Sequence, residues 1–577
     1  MNKILKLVQN ELVKVYRQIG WRILTIFVLI IAAASPLLSY GVSLLGSGST
    51  DYGEMAERET DSIWKVYYQT YDNADDFFAE KNIGERSWQY RKYYSDYLNA
   101  CLSLKAMELV IADDRDMSNL ADVMNVFYVD GMERVWEGDK ETDKFTYREP
   151  IVNPDTGETS YGEAVDFTPE LARRLRQKFT SEKTKLEKQV NTKFSVYIND
   201  KFKEYKKQYQ TAQNELKTVE AIYQNNKSVI TRYQIAKMKS EGFTAILQTQ
   251  QQMTFLDSLS LKEQTDIINI LTYLEDLVLH NISDYAAVSR DEFDSSDGRI
   301  YYRGCQYTDY DEYTAAVDRQ INTYYQGLKQ YCYALSHNIS IARLDSASAR
   351  RNLSEALSVN SMVAMFLAIL LSASTVASEH TSGAIRLLMI RPRARWKILL
   401  SKLLCIVIYV LGLTAATSLI STLTEVLIYG GNDLGTPYLL VNGNIVSEIP
   451  PIFYYIYYNS VLILPWVFAA CAALLLSVLT KRAVPSLAIP MLIAVFGSLI
   501  SQLSYDAVGK AKWLKLTPVP YFNISDVFPE PMNIIHDWYS PQNFGLTLGG
   551  GIAVFSVYSL IMLVLAFALF NKQQIKN

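Results

Sequence analysis

Histidine and cysteine are scarce, with 4 His and 5 Cys in 577 residues. No pair of them has the spacing of a structural zinc site, which argues against metal chemistry from these ligands. No G-x-x-x-x-G-K-[ST] phosphate loop occurs anywhere, so the chain lacks the commonest means of hydrolysing a nucleotide. The 56 Lys+Arg nearly balance 60 Asp+Glu, an average of unlike parts that gives no sign of a nucleic-acid partner. From about Ser47 to Ser358 there is no apolar run able to cross a bilayer. The apolar runs elsewhere hold no Asp, Glu, Lys, Arg or His near their middles, Glu425 lying toward the end of one. A charge at such a place costs about 2.5–3.5 kcal/mol and is kept where protons or ions are moved. Its absence argues against a carrier driven by a charge relay.

What the sequence does contain is a set of spans around one large polar insertion. Residues 1–22 place Ile4, Leu5, Val8, Leu12, Val15 and Ile19 at helical spacing with Lys3, Lys6, Lys14 and Arg17 mostly on other faces, the pattern of an amphipathic helix lying on the inner membrane surface. A charge-free run over 23–45 reads as the first span. A cleavable signal peptide is the rival reading, but the basic region before the run is too long for one. Further spans are expected at 359–378, 403–428, 459–479, 484–503 and 549–570, each near the twenty residues a bilayer requires. The fold class is an all-α polytopic membrane protein with six transmembrane helices, plus a mainly helical extracytoplasmic domain with a small β element.

That domain is expected over 46–358. Residues 168–256 carry helix formers almost without Gly or Pro, with Leu171, Leu175, Phe179, Leu186, Val190, Phe194, Phe202, Tyr205 and Tyr209 at roughly helical spacing. They predict a long antiparallel helical hairpin of coiled-coil type. Its basic positions from Arg173 to Lys207 read as a solvated face rather than a nucleic-acid groove. The stretch around Asp155-Thr156-Gly157 turns like a β-hairpin, and RIYYRGCQYT from Arg299 suggests another short strand. Heavy tyrosine use, 40 in the chain, is equally compatible with core packing and with a surface for an amphipathic ligand. The acidic run Ser289–Gly298 lacks the full register of a calcium loop. Cys305 and Cys332 are the nearer pair for a disulfide, with free buried thiols the alternative.

Between the second and third spans lies ASEHTSGAIRLLMIRPRARWKILLSK, Ala377 to Lys402. Its motif is Glu379, Gly383 four residues on, Leu387 and Leu388, Arg391-Pro392, Arg395 three residues past the proline, Leu399 and Leu400, then Lys402. This stretch resembles the cytosolic coupling segment of ATP-binding-cassette (ABC) exporter permeases of the second type. An ordinary basic loop would explain the arginines but not the Glu, Gly and Pro among them.

The resemblance covers roughly the first 45 residues and 357 to the end and does not extend to the insertion. It implies an elbow helix at the amino terminus and a region within 504–548 that dips partly back into the membrane. It further implies a separate ABC ATPase subunit docking on 379–402, a second permease subunit as homo- or heterodimer partner, and no cofactor in this chain beyond the ATP held by that partner. Glu379 and Gly383 would shape the start of the coupling helix, Arg386, Leu387 and Leu388 would meet the ATPase, and Pro392 with Arg395 would turn the chain back to the bilayer, where Lys402 ends the motif. The expected activity is export of an amphipathic peptide, antibiotic or lipid, with no bond chemistry in this chain. An ATPase-independent surface scaffold or phage-receptor-like protein is the alternative. Basic residues place both termini and 379–402 in the cytoplasm of a multi-pass plasma-membrane protein. Lys510, Lys512 and Lys515 fall on the other side, against the rule.

Overall fold

The computed structural model describes the chain except Met1, 47–61, 86, 113–119, 138–139, 153–158, 297–298, 304, 342–348, 382–394, 432–433, 444, 528–543 and 573–577. Helix α1 (Asn2–Arg17) bends at Gln18 into α2 (Ile19–Gly46). Sequence places that boundary after Arg22, whereas the apolar span begins at Ile19. The Arg22 side chain donates to the Tyr16 carbonyl at 2.6 Å, so a cation that reads as part of the surface helix serves the bend instead. Along α1, Val8 is buried and Glu11, Leu12 and Val15 are half-buried, while Leu5, Val13 and Tyr16 stay exposed.

Next come α3 (Ser62–Glu80), α4 (Trp88–Ala112), α5 (Leu120–Val126), β1 (Met132–Glu137), β2 (Lys140–Tyr147), β3 (Pro150–Val152), β4 (Thr159–Tyr161) and β5 (Val165–Asp166). They are followed by α6 (Pro169–Val190), α7 (Phe194–Asn225), α8 (Ile230–Thr249) and α9 (Leu261–Glu275). With Tyr331–Ser340 they make one compact unit, Gly48–Ser289. Strands β1, β2 and β5 form an antiparallel sheet, and β3 pairs with β4 around the expected hairpin; its turn, including Asp155, Thr156 and Gly157, lies outside the described residues.

The expected hairpin over 168–256 resolves into three helices. The break falls after Val190, where Asn191 donates from its side chain to the Glu187 carbonyl at 2.7 Å. Helix α6 packs on α4 and buries Ala172, Leu175 and Phe179, while α7 and α8 are the true antiparallel pair. Tyr223 stacks on Tyr233 at 4.4 Å beside the turn, and Tyr205 meets Phe243 at 6.2 Å farther along. Much of the tyrosine is core: Tyr93, Tyr97, Tyr205 and Tyr285 are all buried.

Helix α9 opens with a capping box. The Glu263 amide donates to Ser260 Oγ at 3.4 Å, and the Ser260 amide donates to Glu263 Oε2 at 2.8 Å. Hydrogen bonds from the Ser260 hydroxyl and amide, with a smaller contribution from Asn338, hold the Glu263 carboxyl below its ordinary value. A depressed carboxylate stabilises above its unfolded pKa, and that stability is lost as pH falls through the lower folded value. Ser260→Ala is therefore expected to cost about 1 kcal/mol near neutrality and less in acid. Thermal denaturation of the full chain at two pH values checks this; an equal cost at both would refute the box.

Residues Arg290–Gln330, within the stretch 46–358 expected between the first two spans, group with the apolar helices. They comprise α10 (Arg290–Ser295), the hairpin β6 (Ile300–Tyr302) and β7 (Cys305–Tyr307), and most of α11 (Tyr310–His337). The remainder is α12 (Ala349–Thr381), α13 (Arg395–Tyr429), β8 (Tyr438–Asn442), β9 (Ile445–Ile449), α14 (Pro451–Thr480), α15 (Ala483–Lys510) and α16 (Leu548–Lys572). Helices α2, α12, α13, α14, α15 and α16 are each long and apolar enough to cross a membrane. The protein is an all-α polytopic membrane protein whose inserted unit is mainly helical with a small β element.

Helices α12 and α14 are the most buried of the six. They approach through small residues: Ala373, Ala377, Ala469 and Ala473 are buried. Ser477 Oγ donates to the Ala373 carbonyl at 2.9 Å and accepts from the Ala377 amide at 3.0 Å. Close backbones and short polar links are how helices hold together where water offers no drive. The run FYYIYY, which reads as an aromatic belt, is half core. Tyr454 and Tyr458 are buried and Tyr454 stacks on Tyr438 at 3.7 Å, while Phe453, Ile456 and Tyr457 are exposed.

After α15 the chain returns to the helices. Tyr521, Ile524 and Val527 are buried with Phe468 and Phe555. A side chain at Gly551 would come within 2.9 Å of the Tyr521 ring, which is why glycine stands there. The two described lysines at odds with the charge rule are accommodated locally. Lys512 pairs with Glu312 at 2.5 Å; burial first, and then Arg319 and Lys512 nearby, hold Lys515 below the usual lysine value.

Candidate functional site

Of the residues in the coupling motif, Glu379, Arg395, Leu399, Leu400 and Lys402 are described, while Gly383, Arg386, Leu387, Leu388, Arg391 and Pro392 lie outside the described residues. Helix α12 carries Glu379 in its last turn, and α13 carries Lys402 two turns in. Their side chains meet at 2.6 Å, and Lys402 Nζ also donates to the Thr375 carbonyl at 3.2 Å. Lys402 is only 2 % exposed. Leu399, one turn before it, is fully buried, so the helical repeat that buries Leu399 also turns Lys402 inward.

Two partners come from α1. Glu11 Oε2 lies 3.5 Å from Lys402 Nζ, and Glu11 Oε1 lies 2.9 Å from Lys14 Nζ. Lys14 Nζ in turn lies 3.7 Å from Glu379 Oε1. The four groups close a ring in which positive and negative charges alternate and each ion has two opposite neighbours. For Lys14 burial opposes the charge, but the Glu11 hydrogen bond and the Glu11 and Glu379 carboxylates outweigh it, so the ammonium titrates above its usual value. The ring lines a cleft of about 310 Å³ with Gln18, Trp21, Ser374, Ser378 and Cys405.

The other end of the connector is also fastened. Arg395 Nη1 donates to the Asn571 carbonyl at 3.2 Å, joining the start of α13 to the end of α16. The ring joins α1 to α12 and α13 at the two ends of the connector.

Sequence reading did not find Glu11 or Lys14. The signal was present: Glu11 sits in the stripe Val8, Leu12, Val15, a carboxylate on the face that packs. Glu425, near the end of α13, is buried at 1 % exposure. All five cysteines are free thiols, with Cys305 and Cys332 buried. Among the described residues no three His, Cys, Asp or Glu side chains gather into a metal site.

A family profile described as a protein of unknown function (DUF2705) matches residues 327–575. The uncharacterized protein YhcI of Bacillus subtilis (strain 168) is 24 % identical over 217 residues, which cover 36 % of this chain and 64 % of that relative. The match thus covers less than two thirds of the relative's own length. No solved structure matches the chain.

Proposed function

We propose that the chain is the permease subunit of a type-2 ABC exporter, powered by a separate ATPase that docks on 379–402. In this reading both termini and the connector face the cytoplasm, the inserted unit is extracytoplasmic, a second permease subunit completes the transporter, and the cargo is amphipathic. The observation that carries it is the charge ring. It gathers the amphipathic helix, the last turn of α12 and the first turns of α13 around the ends of the connector. A protein pressing on 382–394 would therefore push on three helices at once.

Docking is the testable step. Replacing Leu387 and Leu388 together with Asp places two charges where apolar side chains would meet the partner. Co-purification of an ATPase with the full-length tagged chain from native membranes should fall at least tenfold, while membrane insertion stays intact. ATPase capture undiminished by the double substitution would sink the assignment. Absence of any ATPase from the wild-type preparation would favour the scaffold reading.

A further inference from the structure

Residues Lys512–Leu516 form a short 3₁₀ helix just after α15. Such a helix has three residues per turn, so side chains three positions apart stack above one another. Leu514 packs on the core that holds Val508, Phe544 and Leu546. Two outer edges remain. One carries Lys512 and Lys515, and the other carries Trp513 and Leu516, which are 65 % and 69 % exposed.

These edges stand where a bilayer surface would pass. Helix α15 starts beside α12 near the connector, with Ser486 Oγ 3.4 Å from the Ala373 carbonyl, and its apolar part ends at Tyr505. The 3₁₀ helix therefore lies at the end of the bundle opposite the connector. Tryptophan is enriched at that depth, where its ring meets the lipid head groups.

Lys512 is held by Glu312, but the nearby cations are not neutralised from within. Among the described residues, the side chains of Arg319 and Lys515 make no hydrogen bond or ion pair. Arg319 is exposed, whereas Lys515 is half-buried with its ammonium against Gly545, where an added Cβ would come within 2.8 Å of Nζ. Burial, and then Arg319 and Lys512, disfavour the charged form of Lys515, and Glu312 offsets them only in part. Three cations thus gather around one carboxylate, at the end of the bundle where the charge rule expects few.

We propose that Arg319 and Lys515, with Lys512 beside them, bind the phosphate of an anionic phospholipid whose acyl chains lie along Trp513 and Leu516. The phosphate supplies the missing negative charge and several acceptor oxygens. A soluble anion would leave Trp513 and Leu516 in water, whereas a lipid covers them. A zwitterionic head group would bring its own cation among the three already there. The permease reading puts this end outside and so assigns the lipid to the outer leaflet; the binding itself does not depend on that reading.

The probe is a phosphatidylglycerol that carries an alkyne and, near the carboxyl end of one acyl chain, a photoactivatable diazirine. It is used on the full-length chain in phosphatidylcholine nanodiscs with no partner present. Labelling should concentrate on the peptide containing 512–516, and unlabelled phosphatidylglycerol should compete. The same probe on a choline head group should label that peptide roughly twentyfold less, about fivefold for each of the two unpaired cations. Excess inorganic phosphate should not compete. Arg319→Gln and Lys515→Gln, which leave the Lys512–Glu312 pair in place, should each lower the preference for phosphatidylglycerol about fivefold. The proposal falls if the two head groups label equally, if inorganic phosphate displaces the probe, or if both variants keep the wild-type preference. The head-group comparison on the wild-type protein decides even if the variants misfold. Failure here leaves ATPase docking untouched, and loss of docking leaves this binding in place.

Discussion

Lys402→Met is expected to destabilise the helical bundle by about 3–5 kcal/mol, the usual cost of removing one partner from a buried ion pair. The cost arises because Glu379 loses its 2.6 Å neighbour and Glu11 its 3.5 Å one, leaving two carboxylates in a half-buried cleft with only Lys14 between them. Adding Glu379→Gln removes the surplus negative charge and leaves the Glu11–Lys14 pair neutral, so the double variant should recover more than half of what the single loses. Thermal unfolding of the detergent-solubilised chain, followed by loss of monodispersity, measures both. A single variant that melts with wild type, or a double variant no better than the single, would show that the ring is not an energetic unit.

Trp88→Ala should cost the inserted unit about 3–5 kcal/mol, as large-to-small changes of buried tryptophan do. Trp88 is fully buried, with ring centroids 4.8 Å from Tyr197, 5.4 Å from Phe194 and 6.0 Å from Tyr93. Its indole nitrogen makes no hydrogen bond, so ring packing alone is at stake and Trp88→Phe should retain most of the stability. Limited proteolysis of the full chain provides the readout: cleavage within 62–289 should accelerate for the alanine variant and much less for phenylalanine. Equal acceleration by both would overturn the packing account.

The apolar helices were legible because about twenty uninterrupted apolar residues have few other uses. Their ends were not. Helix α13 begins at Arg395 and α14 at Pro451, where charged and tyrosine residues are helical without being hydrophobic. The pair β8–β9 was missed although Asn442-Gly443 carries a turn signal and Gly443 takes a φ of +60°. The ring was half legible. Glu379 and Lys402 belong to a recognisable spacing, whereas Glu11 and Lys14 join them across more than 350 residues of chain, and charge along a sequence does not say which charges meet.

The hydrogen-bond chain farther along the same helices gives the ring a mechanical meaning. Asn360 donates to Ser421 at 2.6 Å, and Ser421 donates to the Ala32 carbonyl at 2.9 Å, tying α12, α13 and α2 together. Along α12 that tie stands nineteen residues, roughly 28 Å, from Glu379 at 1.5 Å per residue. Two fastenings so far apart on one pair of helices suppress sliding. Helices α12 and α13 are thus fastened to each other at two separate heights, with α1 joined at one and α2 at the other.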